Sequence, residues 1–170
     1  KESYHYSPDK GYCASQQKYF YWYKLHSVCS AAGVIESLDL TKASVHDVHY
    51  LKDVKELFSN CIITGDKGYI GRQHQINLFE TAAIQLEVPL RNNQKEQKPV
   101  VRILKKVRKR IETVFSQLCD QFMIQRNYAK SFTGFRCRIL AKITGFTILQ
   151  FLNKFVYKKP ISRIKHALAN

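Results

Sequence analysis

A chain of 170 residues, 45% hydrophobic and 12% aromatic, is long and apolar enough for an ordinary globular core, which excludes a disordered tail. Its formal charge of +15 opposes compactness and points to a polyanionic partner, nucleic acid ahead of an anionic membrane surface. The five cysteines are odd in number and widely spaced with no CxxC pair, which argues against a zinc knuckle or a disulfide framework and predicts reduced, buried thiols.

The opening, Lys1 to Gln17, is polar and turn-rich and reads as irregular. YFYWYKLHSVC, Tyr19 to Cys29, is dense in aromatic and β-branched residues and predicts a central strand, its aromatic side chains divided between core and covering helices. Stacking of Tyr19 to Tyr23 on nucleic-acid bases is the lesser alternative. A break at Ser30 to Gly33 suits a hairpin, with Val34 to Leu40 as the antiparallel partner. A helix then follows, with Ser44 as N-cap, Asp47 in the capping-box position and an apolar face of Val45, Val48, Leu51, Val54, Leu57 and Phe58.

The next stretch, CIITGDKGYIG, places a short apolar strand, Cys61 to Thr64, before three closely spaced glycines. Asp66 is therefore displayed at a strand end, where α/β sheets commonly hold their chemistry, although an aspartate there also caps helices in inert proteins. Gln73 to Thr81 predicts a short helix and Ile84 to Leu90 a strand, closed by the polar Arg91 to Gln94. From Val100 to Phe122 the period becomes that of a long helix, with Ile103, Val107, Ile111, Val114, Phe115, Leu118 and Phe122 on one side. A break at Asn127 to Gly134 separates it from a second helix, Phe135 to Tyr157, which Pro160 ends before a basic turn at Ile161 to Ala169. The apolar-leaning part, Ile139 to Val156, contains Lys142, Gln150, Asn153 and Lys154 and reads as too polar to span a bilayer.

Charge is distributed unevenly. No Asp or Glu follows Asp120, and Lys98 to Arg110 holds seven basic residues without an acid. Within the long helix up to Leu118, Glu112 is the only carboxylate. It can pair with Arg108 or Lys109 as a surface bridge, or join Asp66 on a divalent cation, since hard Mg²⁺ prefers oxygen ligands and shares them with phosphate. His46 and His49, with Asp47 and Asp53 nearby, lack the further ligands that zinc would require.

YFYWYKLH, LTKASVHDVHYL, GDKGYIG and RKRIETVFSQL, in this order, resemble the catalytic region of a bacterial insertion-sequence transposase of the DDE type, most closely the group numbered nine-eighty-two, and the tail KPISRIKHALA extends the likeness. The resemblance implies an RNase H-like α/β fold, a mixed sheet with covering helices, over residues 1–159, followed by a basic tail over 160–170. It implies that three acids hold two Mg²⁺ or Mn²⁺ ions and drive strand cleavage and transfer at transposon ends, with Asp66 the second acid and Glu112 the last. Lys67 would face phosphate, and Lys105, Arg108, Lys109 and Lys142 would contact DNA. The implied partners are double-stranded DNA at transposon ends and target, with a homodimer in the intact parent, no membrane, and a cytoplasmic, nucleoid-associated location.

Two departures shape the expectation. Around Glu112, Arg108 fits the family's arginine, but Lys105 stands where a tyrosine is usual and Cys119 where a lysine is. The family's first Asp belongs to an apolar strand before the aromatic one, and Glu2 and Asp9 sit in polar context, poorly suited to that role. The chain is thus expected to be the C-terminal part of the catalytic region, lacking the first strand, with an unpaired edge on the aromatic strand and no activity alone. A non-catalytic DNA-binding module and a decayed remnant of a mobile element are the alternatives.

Overall fold

The aromatic segment forms a long strand, β2 (Lys18–Cys29), between β1 (Asp9–Cys13) and β3 (Ile35–Lys42) in a three-stranded sheet. The computed structural model describes residues 6–13, 17–89 and 102–165, the side chains of 102 and 103 excepted. Glu2, Leu90, Arg91 to Gln94, the helix start at Val100, the stripe position of Ile103 and the tail beyond Lys165 lie outside the described residues.

β1 corrects the expectation of an irregular opening. It pairs antiparallel with β2 from Asp9↔Trp22 to Cys13↔Lys18, so the edge of the aromatic strand over Lys18–Trp22 is paired. DKGYC has little strand propensity, and the backbone bonds offered by β2 decide the outcome. The β2–β3 hairpin turns at Ser30 to Val34, where Gly33 N–H donates to Ser30 O over 2.8 Å. Gly33 adopts φ +93°, a conformation that side chains rarely tolerate.

The chain continues through α1 (Leu51–Leu57), β4 (Cys61–Thr64), α2 (Arg72–Ala82), β5 (Ile84–Glu87), α3 (Arg102–Asp120) and α4 (Phe132–Phe151). β4 and β5 pair in parallel as a second sheet, with α2 as the crossover. β5 ends at Glu87, short of the expected Leu90, and α2 is one residue longer at each end than predicted. The expected capping box does not form. Asp47 gives its carboxylate to Lys24 on β2, the first turn (Asp47–Tyr50) is 3₁₀, and His46 Nδ1 caps it by accepting from Val48 N–H at 3.4 Å.

The fold is thus mixed α/β, with an antiparallel and a parallel sheet and helices, and it divides into two compact units. One comprises Pro8–Ser27 and Ser37–Arg108, with Ala43, Tyr50, Leu51, Val54, Leu78, Ile84 and Leu86 buried in it. The other comprises Lys1–Ser7, Val28–Glu36 and Lys109–Asn170. There Val114 and Leu118 of α3 are buried, as are Phe135, Ile139, Ile143 and Phe146 of α4, and Phe122 meets Phe146 edge-on at 5.8 Å. Burying a side chain such as Phe146 contributes about 1.5–3 kcal/mol.

Ser131 caps α4 by accepting from Gly134 N–H at 3.1 Å, so the helix starts at Phe132, three residues before the predicted Phe135. With Phe132 included, the helix and its π-helical continuation to Val156 become long and apolar enough to cross a membrane by length and composition alone, contrary to the expectation of a segment too polar to do so. The buried stripe from Phe135 to Phe146 gives the same residues a place in a packed core. Past Pro160, Gln117 Nε2 donates to Ser162 O at 2.6 Å and Ile164 is buried, so the basic tail is docked that far. None of the five cysteines forms a disulfide, none is fully buried, and Cys137 is exposed. The thiols of Cys29 and Cys119 are pushed up, first by partial burial and then by Glu36 and Asp120 respectively.

Candidate active site at the Asp66 turn

The Asp66 turn is built from the end of β4. Gly65 N–H extends the parallel ladder by donating to Glu87 O at 2.8 Å, and a Cβ on Gly65 would press on Val88 at 3.1 Å. The chain then leaves the sheet. Asp66 is extended and caps a 3₁₀ turn, Lys67–Tyr69, with Oδ1 accepting from Lys67 N–H at 2.6 Å. The aspartate is therefore both a local cap and a displayed acid, its side chain 72% exposed.

Arg108 on α3 donates from Nη2 to the same Oδ1 at 3.3 Å. With the carboxylate mostly in water this pair contributes under about 1 kcal/mol, so its effect is to orient rather than to hold. Both bonds fall on Oδ1. Oδ2 has no partner among the described residues and offers a hard oxygen to a cation or to water.

Beneath the turn lies a polar network that the sequence reading did not assemble. Tyr69 points back into the fold, and its hydroxyl meets His26 Nδ1 at 3.0 Å while His26 Nε2 meets Thr41 Oγ1 at 2.8 Å. His26 stacks on Tyr50, whose hydroxyl bonds Ser37 Oγ at 2.7 Å. Beside them Lys24 Nζ donates to Asp47 Oδ1 at 2.8 Å and to Val45 O at 2.5 Å. Asp47 in turn abuts Gly68, where any Cβ would collide with Oδ2. Lys24 and His26 fall at alternate positions of the strand that follows the aromatic run Tyr19 to Tyr23, and that polar period of two was the signal for the network.

Burial holds the His26 imidazole below its ordinary range, against the opposing pull of Asp47, so the ring is neutral at pH 7 with one nitrogen donating and one accepting. Tyr69 is pushed well above the usual phenol range, first by burial and then by the charges of Asp47 and Asp66, and remains a neutral hydroxyl. The turn thus stands on uncharged hydrogen bonds and one ion pair.

Of the residues singled out by sequence, Asp66, Lys67 and Arg108 come together here, and Lys67 is exposed. Lys105 and Lys109 are exposed on α3, as is Glu112, which belongs to the other unit. The Lys142 ammonium donates to Met123 O at 2.7 Å and Arg126 O at 2.9 Å, fastening the connection before α4. Among the described residues no group of three or more His, Cys, Asp and Glu has a metal-binding arrangement.

A family model described as Transposase DDE domain matches residues 2–147. No curated protein and no solved structure matches the chain. With that match covering most of the 170 residues, and with an acid displayed at the end of a parallel strand, the chain belongs to the DDE-domain transposase family.

Proposed function

We propose that this chain supplies two of the three acids of an insertion-sequence transposase, of the group numbered nine-eighty-two, that cleaves DNA strands at the element's ends and transfers them to target DNA. Asp66 and Glu112 are the metal ligands in this reading, and the remaining acid is left unassigned; Asp9, on the strand ahead of Tyr19, has its carboxylate bonded to the Lys10 N–H. The observation that carries it is the Asp66 turn: an exposed carboxylate with one oxygen unpartnered among the described residues, steadied by Arg108, which sits one helical turn before Glu112.

The donor set suits Mg²⁺ or Mn²⁺, being carboxylate oxygen without thiolate or imidazole. Bound there with the third acid, such ions would activate water and stabilise charge on the scissile phosphate. The chain's own residues do the rest. Asp66 and Glu112 hold the ions, Arg108 orients Asp66, and Lys67 meets phosphate oxygens as a point charge. Lys105 and Lys109 follow the DNA backbone, and Lys142 contacts DNA only if its ammonium is shared with the two carbonyls. Residues 1–159 act as the catalytic domain and 160–170 as a basic tail. The protein works as a homodimer on duplex DNA in the bacterial cytoplasm.

The test measures Mg²⁺-dependent nicking of a transposon end by the transposase polypeptide that carries these residues. Nicking is expected to vanish in Asp66→Ala and Glu112→Ala while the far-ultraviolet circular dichroism stays unchanged. Full nicking by either variant would overturn the assignment.

A further inference from the structure

The aromatic strand was expected to divide its rings between core and covering helices, and it does not. In the β1–β2 hairpin, Tyr12 faces Tyr19 and Lys10 faces Tyr21 across the ladder, so these four side chains share one face. Tyr12, Tyr19 and Tyr21 are 54%, 69% and 61% exposed. The Tyr12 and Tyr19 rings lie 4.9 Å apart, with Lys10 Nζ 4.3 Å above the Tyr19 ring. The hairpin is also held rigidly. Ala43 N–H donates to Trp22 O at 3.1 Å, and Gly11 packs so closely on Ala43 that a Cβ would lie 2.6 Å from its carbonyl oxygen. Asp9 is held low by the Lys10 N–H, the Ser44 hydroxyl and Lys42, on the face away from the tyrosines.

We propose that this tyrosine face binds unpaired nucleotides of single-stranded DNA. A row of solvated rings beside a lysine, on a chain of charge +15, matches the two parts of a nucleotide, a π-face and a phosphate. Side chains two apart on a strand are about 6.7 Å apart, a spacing that a splayed single strand can follow. A duplex, with bases stacked about 3.4 Å apart, keeps their faces hidden. Beside the tyrosines opens a cleft of about 440 Å³ lined by Lys10, Tyr12, Tyr19 and Lys24, of the size that takes a small ligand; Asp47, which also lines it, is neutralised by Lys24. The inference deepens the proposed function by naming unpaired DNA at this face, and it rests on the chain being a DNA-binding protein.

The test compares, by fluorescence anisotropy, binding of a labelled 12-nucleotide oligo-dT and of a 12-base-pair duplex. Tyr12→Leu with Tyr19→Leu is expected to weaken the single strand by about 5- to 150-fold per lost stack and the duplex by less than about twofold, while the Phe replacements bind as the unaltered chain does. Photocrosslinking of a 5-iododeoxyuridine oligonucleotide to the unaltered chain should map to Lys10–Tyr21, a readout that needs no variant to fold. Equal losses for single strand and duplex, no loss for the single strand, or crosslinks confined elsewhere would overturn the inference. Binding of duplex without single strand would sink this inference alone, and binding of neither would sink the DNA-binding reading with it.

Discussion

Gly68→Ala tests the packing beneath the Asp66 turn. Gly33 is the only glycine with positive φ among the described residues, so the backbone at Gly68 accepts alanine, which should stabilise by about 0.4–1 kcal/mol through the unfolded chain. The new Cβ collides with Asp47 Oδ2, however, and Asp47 can move only by giving up Lys24 at 2.8 Å. A charge-assisted bond contributes about 1.5–3 kcal/mol. With the pair 25% and 34% exposed, about 1–2 kcal/mol survives solvent screening. The net expectation is destabilisation by about 0.5–1.5 kcal/mol, a fall in Tm of about 1–6 °C for a chain of this size. In an Asp47→Ala background the collision is gone, and the same substitution should stabilise by about 0.4–1 kcal/mol. Urea unfolding of the four proteins of this double-mutant cycle reads the coupling directly. The same sign in both backgrounds, or a coupling under about 0.3 kcal/mol, would refute the claim that Asp47 and Lys24 brace the turn.

Gly11→Ala meets the Ala43 backbone rather than a flexible side chain, so it should cost about 1–3 kcal/mol in urea unfolding, whereas Gly71→Ala meets only the exposed His74 ring and should stay within about 0.5 kcal/mol. His26 has a folded pKa below its ordinary 6.5, so the unfolded chain takes up the proton first. Stability is full above pH 6.5 and is lost as pH falls toward the folded value, and Tm measured from pH 7.5 to 5 should drop more for the native chain than for His26→Gln. Lys105→Ala and Lys109→Ala should each weaken duplex binding similarly on unrelated sequences and reduce the slope of log affinity against log salt by about one.

The parts of the fold set by local chemistry were legible. Cys61 to Thr64 and the display of Asp66 followed from an apolar run and three glycines, and the Ser30 to Gly33 turn followed from its short glycine-containing break. The parts set by distant partners were not. β1 exists because β2 satisfies its backbone, and nothing in DKGYC announces that. Asp47 sat in a plausible capping box until Lys24, 23 residues earlier, claimed its carboxylate. Arg108 read as a helical neighbour of Glu112, yet it reaches Asp66 across 42 residues. The aromatic strand shows one period of two whether its rings face core or water, so alternation alone could not assign the exposed tyrosines.

The central claim, that Asp66 and Glu112 serve one metal centre, is tested most directly by adding Mn²⁺ to the ¹⁵N-labelled chain and following amide line broadening. The account predicts that amides around Asp66 (Gly65 to Gly68) and around Glu112 (Ile111 to Thr113) broaden together at the same Mn²⁺ concentration. It predicts that Asp66→Asn and Glu112→Gln each weaken the effect at both places. Broadening confined to one of the two segments, or unchanged in both variants, would contradict it.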